Sequence, residues 1–189
     1  NMIVKFSGTG QKTWATYYGI NASNCVSIQS DTTGVYVLGF SIDCPPNYTY
    51  NTYFASANCH QPQPGSCKDL YITKFEASSG TRIWSTYYGG SSSEYGFKKS
   101  LLLTGNSIYI AGVTGSNTNI STPNGFQPTK NVGNTIFISK FSTDGVREWG
   151  TYYGNPNFNT SNTIDFCGLS YYNENLYISG LTYLNDEFS

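Results

Sequence analysis

Apolar and polar positions alternate in short runs along this chain. Across 82–88, Ile83 and Ser85 alternate with bulky rings; across 135–141, Ile136, Ile138 and Phe141 alternate with polar residues. Shorter apolar runs at 26–29, 35–41, 99–103, 107–113, 167–171 and 176–181 flank turn residues. Those turns are Asp31-Thr32-Thr33-Gly34, Thr104-Gly105-Asn106 and Asn173-Glu174-Asn175. Period-two alternation punctuated by Gly and Asn predicts β-strands and hairpins. No segment carries a helical period.

One phrase occurs three times. Lys5-Phe6 leads through a Gly turn to Trp14-Ala15-Thr16-Tyr17-Tyr18-Gly19. Lys74-Phe75 leads to Trp84-Ser85-Thr86-Tyr87-Tyr88-Gly89, and Lys140-Phe141 to Trp149-Gly150-Thr151-Tyr152-Tyr153-Gly154. The Trp positions are 70 and 65 residues apart. Repetition at such a period predicts an array of supersecondary units. Counted from each Trp, the unit has four short antiparallel strands, a, b, c and d, as in a β-propeller blade. The expected fold is all-β, an arc of propeller blades. Residues 1–13 would be the last strand of a preceding blade and its turn, 14–75 and 84–141 two blades, and 149–182 three strands of an incomplete one. Such an arc belongs to a ring of about six to eight blades, with strands 2–6 and 176–181 in different blades.

The pattern Ile-x-Lys-Phe, then Gly, then Trp-x-Thr-Tyr-Tyr-Gly resembles the bacterial SBBP-type β-propeller repeat. Ser121-Thr122-Pro123-Asn124-Gly125-Phe126-Gln127-Pro128 is similar to that family's c–d loop, and Tyr109-Ile110-Ala111-Gly112 to its strand c. The resemblance covers nearly the whole chain. It implies a scaffold within a large secreted or cell-surface protein, often type IX secretion cargo of Bacteroidota, and it supplies no catalytic residues.

Composition narrows the partners. Charged residues are 11% of the 189, aromatics 16%, and the net charge is −1. Nucleic acid would require a basic stripe, and Lys98-Lys99 is the only adjacent basic pair. No apolar run reaches membrane-spanning length. The expected partners are other protein chains or the rest of the same polypeptide, with glycan as an alternative and without membrane insertion. The expected location is extracellular or at the cell surface, associated with an outer membrane.

Candidate chemistry is sparse. Cys25, Cys44, Cys59 and Cys67 are disulfide candidates, because the b–c and c–d hairpins bring them towards one blade edge; Cys167 is left over. A register sum of about 111 for the c–d hairpin, from strand pairing, puts Cys44 opposite Cys67, leaving Cys25 with Cys59. His60 is the only histidine, and no Cys-x-x-Cys knuckle, EF-hand run or nucleophile motif occurs. No catalytic residue, metal ligand or cofactor is expected; a lone structural Ca²⁺ held by loop oxygens stays open.

Two groups of rings remain. Trp14, Tyr17, Trp84, Tyr87, Trp149, Tyr152, Phe6, Phe75 and Phe141 recur in the repeats and are expected to pack between blades, with the lysines keeping their amines wet. The loop 43–68, rich in Cys and Pro, carries Tyr48, Tyr50, Tyr53, Phe54 and His60. Long loops on rigid scaffolds carry recognition, so these are the candidate contact residues. The expected function is a non-enzymatic scaffold or interaction module, such as an adhesin, surface filament or accessory subunit. The alternatives are a carbohydrate-binding propeller and part of a propeller enzyme whose catalytic groups lie outside this segment.

Overall fold

The computed structural model describes residues 1–20, 22–42, 52–130, 133–154 and 165–181, and every regular element among them is a β-strand. In chain order these are β1 (Met2–Phe6), β2 (Lys12–Tyr17), β3 (Ser23–Ser30), β4 (Val35–Ile42), β5 (Lys68–Phe75) and β6 (Arg82–Tyr88). There follow β7 (Glu94–Tyr95), β8 (Leu101–Thr104), β9 (Ser107–Thr114), β10 (Thr135–Ser142), β11 (Arg147–Tyr153), β12 (Asp165–Tyr172) and β13 (Asn175–Leu181). All pairings are antiparallel. β3-β4-β5-β6 form one sheet, and β11-β10-β9 a second whose far edge is shared by β8 and the two-residue β7. β1-β2 and β12-β13 are separate two-stranded sheets that do not pair with each other.

The threefold phrase folds as three hairpins of one register. Lys5 sits opposite Trp14, Lys74 opposite Trp84 and Lys140 opposite Trp149, each with a bulge between Lys and Phe. Gly10, Gly80 and Gly145 take φ of 81°, 75° and 84° in the connecting turns, a left-handed conformation that only Gly adopts without steric cost. The Trp strand therefore closes the sheet of the preceding Lys-Phe strand instead of opening the next unit. The units expected at 14–75 and 84–141 are shifted by one strand: the sheets run over 23–88 and 94–153. Hairpin closure across a short turn outweighs any reading of the repeat from its most visible residue. The β4–β5 register is also one residue short of expectation, with Leu38 opposite Ile72 and Ile42 opposite Lys68.

Both faces of each large sheet are covered, which is why β4, β5 and β10 are buried almost along their lengths. Leu38, Leu70 and Ile72 of the first sheet meet Ile108, Ile110 and Phe141 of the second. The opposite face of the first sheet, with Val37, Tyr71 and Phe75, packs on Ile3 and Tyr18 of the β1–β2 hairpin. The opposite face of the second, with Ala111, Val113 and Ile136, packs on Phe166 and Ile178 of β12–β13. Each such buried aliphatic or aromatic side chain contributes about 1.5–3 kcal/mol. The result is four layers stacked in chain order. Gly39 and Gly112 have no room for a side chain: a Cβ would meet Asn24 O and the Tyr71 ring, both at 2.3 Å, in the first case, and Tyr95 O at 2.1 Å and the Phe137 ring at 3.0 Å in the second.

The ring roles differ from the expectation. Both tyrosines of the phrase enter junctions between layers: Tyr18 contacts Tyr71 and Phe75, Tyr88 contacts Phe137 and Phe141, Tyr87 clusters with Ile3 and Tyr18, and Tyr152 with Leu38 and Ile72. The first Tyr is covered in two copies and bare in one, with Tyr87 at 0%, Tyr152 at 1% and Tyr17 at 89% exposure. Phe75 and Phe141 are buried, whereas Phe6 is 61% exposed. Lys74 is buried rather than wet: its ammonium donates to Thr143 O (3.2 Å) and lies over the Tyr36 ring.

Candidate recognition site

The connection between β4 and β5 ends in a segment, Tyr53 to Pro62, that repeats the one from Asn119 to Pro128. Ser56 N–H donates to Ser85 O and Gln61 O accepts from Tyr87 N–H; Thr122 N–H donates to Gly150 O and Gln127 O accepts from Tyr152 N–H. Gln61 N–H donates to Thr86 Oγ1 and Gln127 N–H to Thr151 Oγ1, both at 2.8 Å. Arg82 donates to Tyr53 O and Arg147 to Asn119 O. In each sheet this segment covers the outer edge of the Trp strand, whose backbone groups would otherwise be open to edge pairing. The threonine of Trp-x-Thr-Tyr-Tyr supplies the side-chain anchor.

Two of the differences between the connections bear on the site. From Ile42 to Tyr53 the chain takes eleven steps, and from the equivalent Gly115 to Asn119 it takes four, so the first connection is seven residues longer. The added residues, with Tyr48, Tyr50 and Cys44 among them, lie outside the described residues. The second difference is Cys59-His60 in place of Gly125-Phe126.

Those two residues line a groove of about 230 Å³ with Asn58, Trp84, Asp144 and Arg147. One wall is the first sheet's connection and the other is the β10–β11 turn. Arg147 is pinned by the carbonyls of Asn119 and Ile120, and its guanidinium lies over the Tyr88 ring. The His60 ring stands edge-on to Phe141 at 5.5 Å. Burial, then the nearby Arg147 charge, push the imidazole down to about 4. It is therefore neutral at pH 7, and its buried Nε2 has no partner among the described residues. No hydrogen bond joins Cys59 and His60 among the described residues, so they form no nucleophile–base pair. A fixed cation, a neutral imidazole and an indole face can accept a polar or anionic group by hydrogen bonding and stacking.

The equivalent groove at the preceding junction, about 380 Å³, is lined by Thr16, Tyr17, Tyr53, Gly80 and Arg82. Arg82 donates to Tyr53 O at 2.8 Å and lies over that ring. Tyr53 thus borders a groove, but Phe54 does not. It is fully buried and stacked on Tyr71 at 3.9 Å, because it occupies the core position of Ile120.

Sequence reasoning missed a buried polar centre beneath the connection. Asp69 and Glu94 are both fully buried and flank the bare Gly89, where a Cβ would fall 2.3 Å from Asp69 Oδ2 and 2.4 Å from Glu94 Oε2. Asp69 accepts from Gly65 N–H, Ser66 N–H, Ser66 Oγ and Gln61 Nε2. Glu94 accepts from Gly90 N–H, Thr114 Oγ1 and Ser116 Oγ. Burial raises both acids, and the Asp69 charge adds to the rise at Glu94. Sealed from solvent, the pair cannot reach a substrate; it knits the β5 start to β7 and β9. Only the Ser-rich stretch before Glu94 hints at it in the sequence.

The expected Cys25–Cys59 pair does not form. Cys25 and Cys59 are free, as is Cys167. Cys25 lies on β3 beside Tyr71 Oη (3.4 Å), whereas Cys59 lies on the segment covering β6. β3 and β6 are opposite edges of one four-stranded sheet. Three strand spacings, about 14 Å, exceed disulfide reach. Cys67 is disulfide-bonded, to a partner outside the described residues. Among the described residues no group of three or more His, Cys, Asp or Glu could hold a metal ion. A scan against family models finds none that matches the chain, and a search of curated proteins finds no match either.

Proposed function

We propose that this chain is a non-enzymatic scaffold of β-propeller type, part of an extracellular or cell-surface protein, that binds another protein chain through the longer connection and its groove. The carrying observation is the contrast between the two connections. The same bonds pin each connection at Tyr53 or Asn119, Ser56 or Thr122, and Gln61 or Gln127, while the first is seven residues longer and carries Cys59-His60 where the second has Gly125-Phe126. A pinned frame carrying loop residues that differ between copies is the arrangement of a binding site on a scaffold. Face-to-face stacking of a four-stranded and a five-stranded antiparallel sheet with a repeated junction supports the propeller reading. The SBBP resemblance agrees with it and supplies the surface location.

A carbohydrate ligand is the second reading. It is favoured by a ring beside a fixed arginine in both junction grooves, Trp84 with Arg147 and Tyr53 with Arg82. Stacking on a sugar face plus directed hydrogen bonds would suit either groove.

The test replaces residues 43–62 by the sequence of 116–128. Wild type and variant are probed on immobilised extracellular glycoproteins and on a glycan array. The expected result is binding by the wild type that the variant loses while its melting temperature is kept. Binding to free glycans selects the second reading. Undiminished binding by the variant, or hydrolysis of a glycoside, ester or peptide by the purified chain, overturns the proposal.

A further inference from the structure

Arg147 opens β11, opposite Phe141 across the bulge. Its Nη1 donates to Asn119 O at 3.0 Å, its Nη2 donates to Ile120 O, and the guanidinium lies over the Tyr88 ring. These partners are neutral. They fix the fork in place but give no counter-ion to a charge that Arg never loses. The neighbouring acid, Glu148, falls on the other face of β11 by strand alternation and pairs with Lys140 at 2.7 Å. Among the described residues no carboxylate stands within ion-pair distance of Arg147.

The groove also gathers unused hydrogen-bonding capacity. Three buried side-chain polar atoms lack a partner among the described residues, and two of them, Arg147 Nε and His60 Nε2, belong to side chains that line this one groove. Both side chains pack around the Tyr88 ring. Arg147 Nε is a donor, and a neutral imidazole can present Nε2 as a second one. A buried polar atom left unbonded costs free energy, so an acceptor seated between the two side chains is the group the site lacks. A carboxylate is the acceptor that also answers the charge.

The rest of the lining narrows the class. Trp84 has spent its N–H on Thr143 O, so the indole offers its face, on which side-chain methylenes can lie. Asp144, exposed on the facing turn, is the second charge in the groove. It weighs against a dianion such as phosphate or sulfate, and it can accept the backbone N–H that an amino acid carries near its carboxylate. At about 230 Å³ the groove is smaller than the roughly 300 Å³ at which small-molecule pockets begin. It suits one side chain of a larger partner.

We propose that the groove takes the carboxylate of an aspartate or glutamate of the partner protein, held between Arg147 and His60 with its methylenes on Trp84. The proposal rests on the groove of the scaffold reading and names the chemistry that the groove selects.

Nitrogen-15 NMR of the whole chain tests it, with acetyl-glutamate α-amide as the probe and acetyl-glutamine α-amide as its uncharged isostere. The Arg147 Nε–H and His60 imidazole signals should shift saturably with the glutamate compound, and the glutamine compound should bind about tenfold more weakly, the loss of one charge-assisted bond. Arg147→Gln should abolish the His60 shift. Because Arg147 also pins the connection at 119–120, His60→Phe is the second variant; it keeps a ring of the kind found at Phe126 and should weaken the glutamate compound about tenfold. No saturable shift, equal binding of the two compounds, or unchanged binding by His60→Phe overturns the proposal. The two readings fail separately. A chain that binds the glutamate compound but captures no glycoprotein keeps this proposal and refutes the scaffold's binding role. Capture that neither an excess of the compound nor His60→Phe diminishes does the reverse.

Discussion

Trp84 donates its indole N–H to Thr143 O, 3.0 Å away across the junction of the two large sheets. The same ring lies on Gly145 and beside Tyr36. Directed bond and packing can be separated. Trp84→Phe keeps most of the ring area and should cost about 1 kcal/mol, the net worth of one hydrogen bond. Trp84→Ala should cost about 3 kcal/mol, the low end for a large ring because this one is half-buried. Urea unfolding reads both as midpoint shifts at constant slope. Equal losses for the two variants would contradict the division.

Gln61 and Gln127 hold the same place in the two connections but different amounts of structure. The Gln61 amide accepts from Gly89 N–H and Asn119 Nδ2 and donates to Gln63 O and Asp69. Gln127 is held by backbone bonds alone among the described residues. Gln61→Ala should therefore cost about 2 kcal/mol through the donors it leaves unsatisfied, and Gln127→Ala less than about 0.5 kcal/mol. Thermal melts of the two variants check the ranking, which fails if they match.

The buried acids set a pH dependence. Burial raises Glu94 to about 8, and the Asp69 charge reinforces it. The folded chain then binds this proton more tightly than the unfolded one, whose Glu titrates near about 4.3. The contribution is complete below that value and is lost as pH rises towards 8, by up to about 1.4 kcal/mol per pH unit. The His60 titration is common to both proteins, so between pH 6.5 and 8 wild-type stability should fall relative to that of Glu94→Gln. Parallel curves for the two proteins would refute the assignment.

His60 acts in the opposite direction. Its imidazole is held down to about 4, first by burial and then by Arg147. A depressed folded value means stability present above about 6.5, the ordinary histidine value, and lost as pH falls towards 4. His60→Phe, the residue found at the equivalent Phe126, removes the titration. The melting temperature of the variant minus that of the wild type should grow as pH drops from 6.5 to 4. No growth would mean that the ring is protonated in the fold.

The strands, their turns and the threefold hairpin are legible in the chain alone, because alternation, turn glycines and the Lys-Phe…Trp spacing act within a dozen residues. Tertiary structure decided which strands share a sheet. The Trp strand reads equally well as the start of a unit, and only the short turn from Phe75 to Arg82 ties it to the strand before it. It also decided that residues 53–62 repeat 119–128. The two share few side chains, and the likeness lies in backbone bonds to Ser85, Tyr87, Gly150 and Tyr152. Nothing in the sequence joins Asp69 to Glu94, whereas hairpin geometry alone put Cys25 and Cys59 at one edge. The stacking of layers buried the first pair around Gly89, and the width of one sheet kept the second apart. Local pattern encodes which face of a strand is apolar. What that face meets depends on residues far away in the chain, whose placement is fixed only when the layers pack.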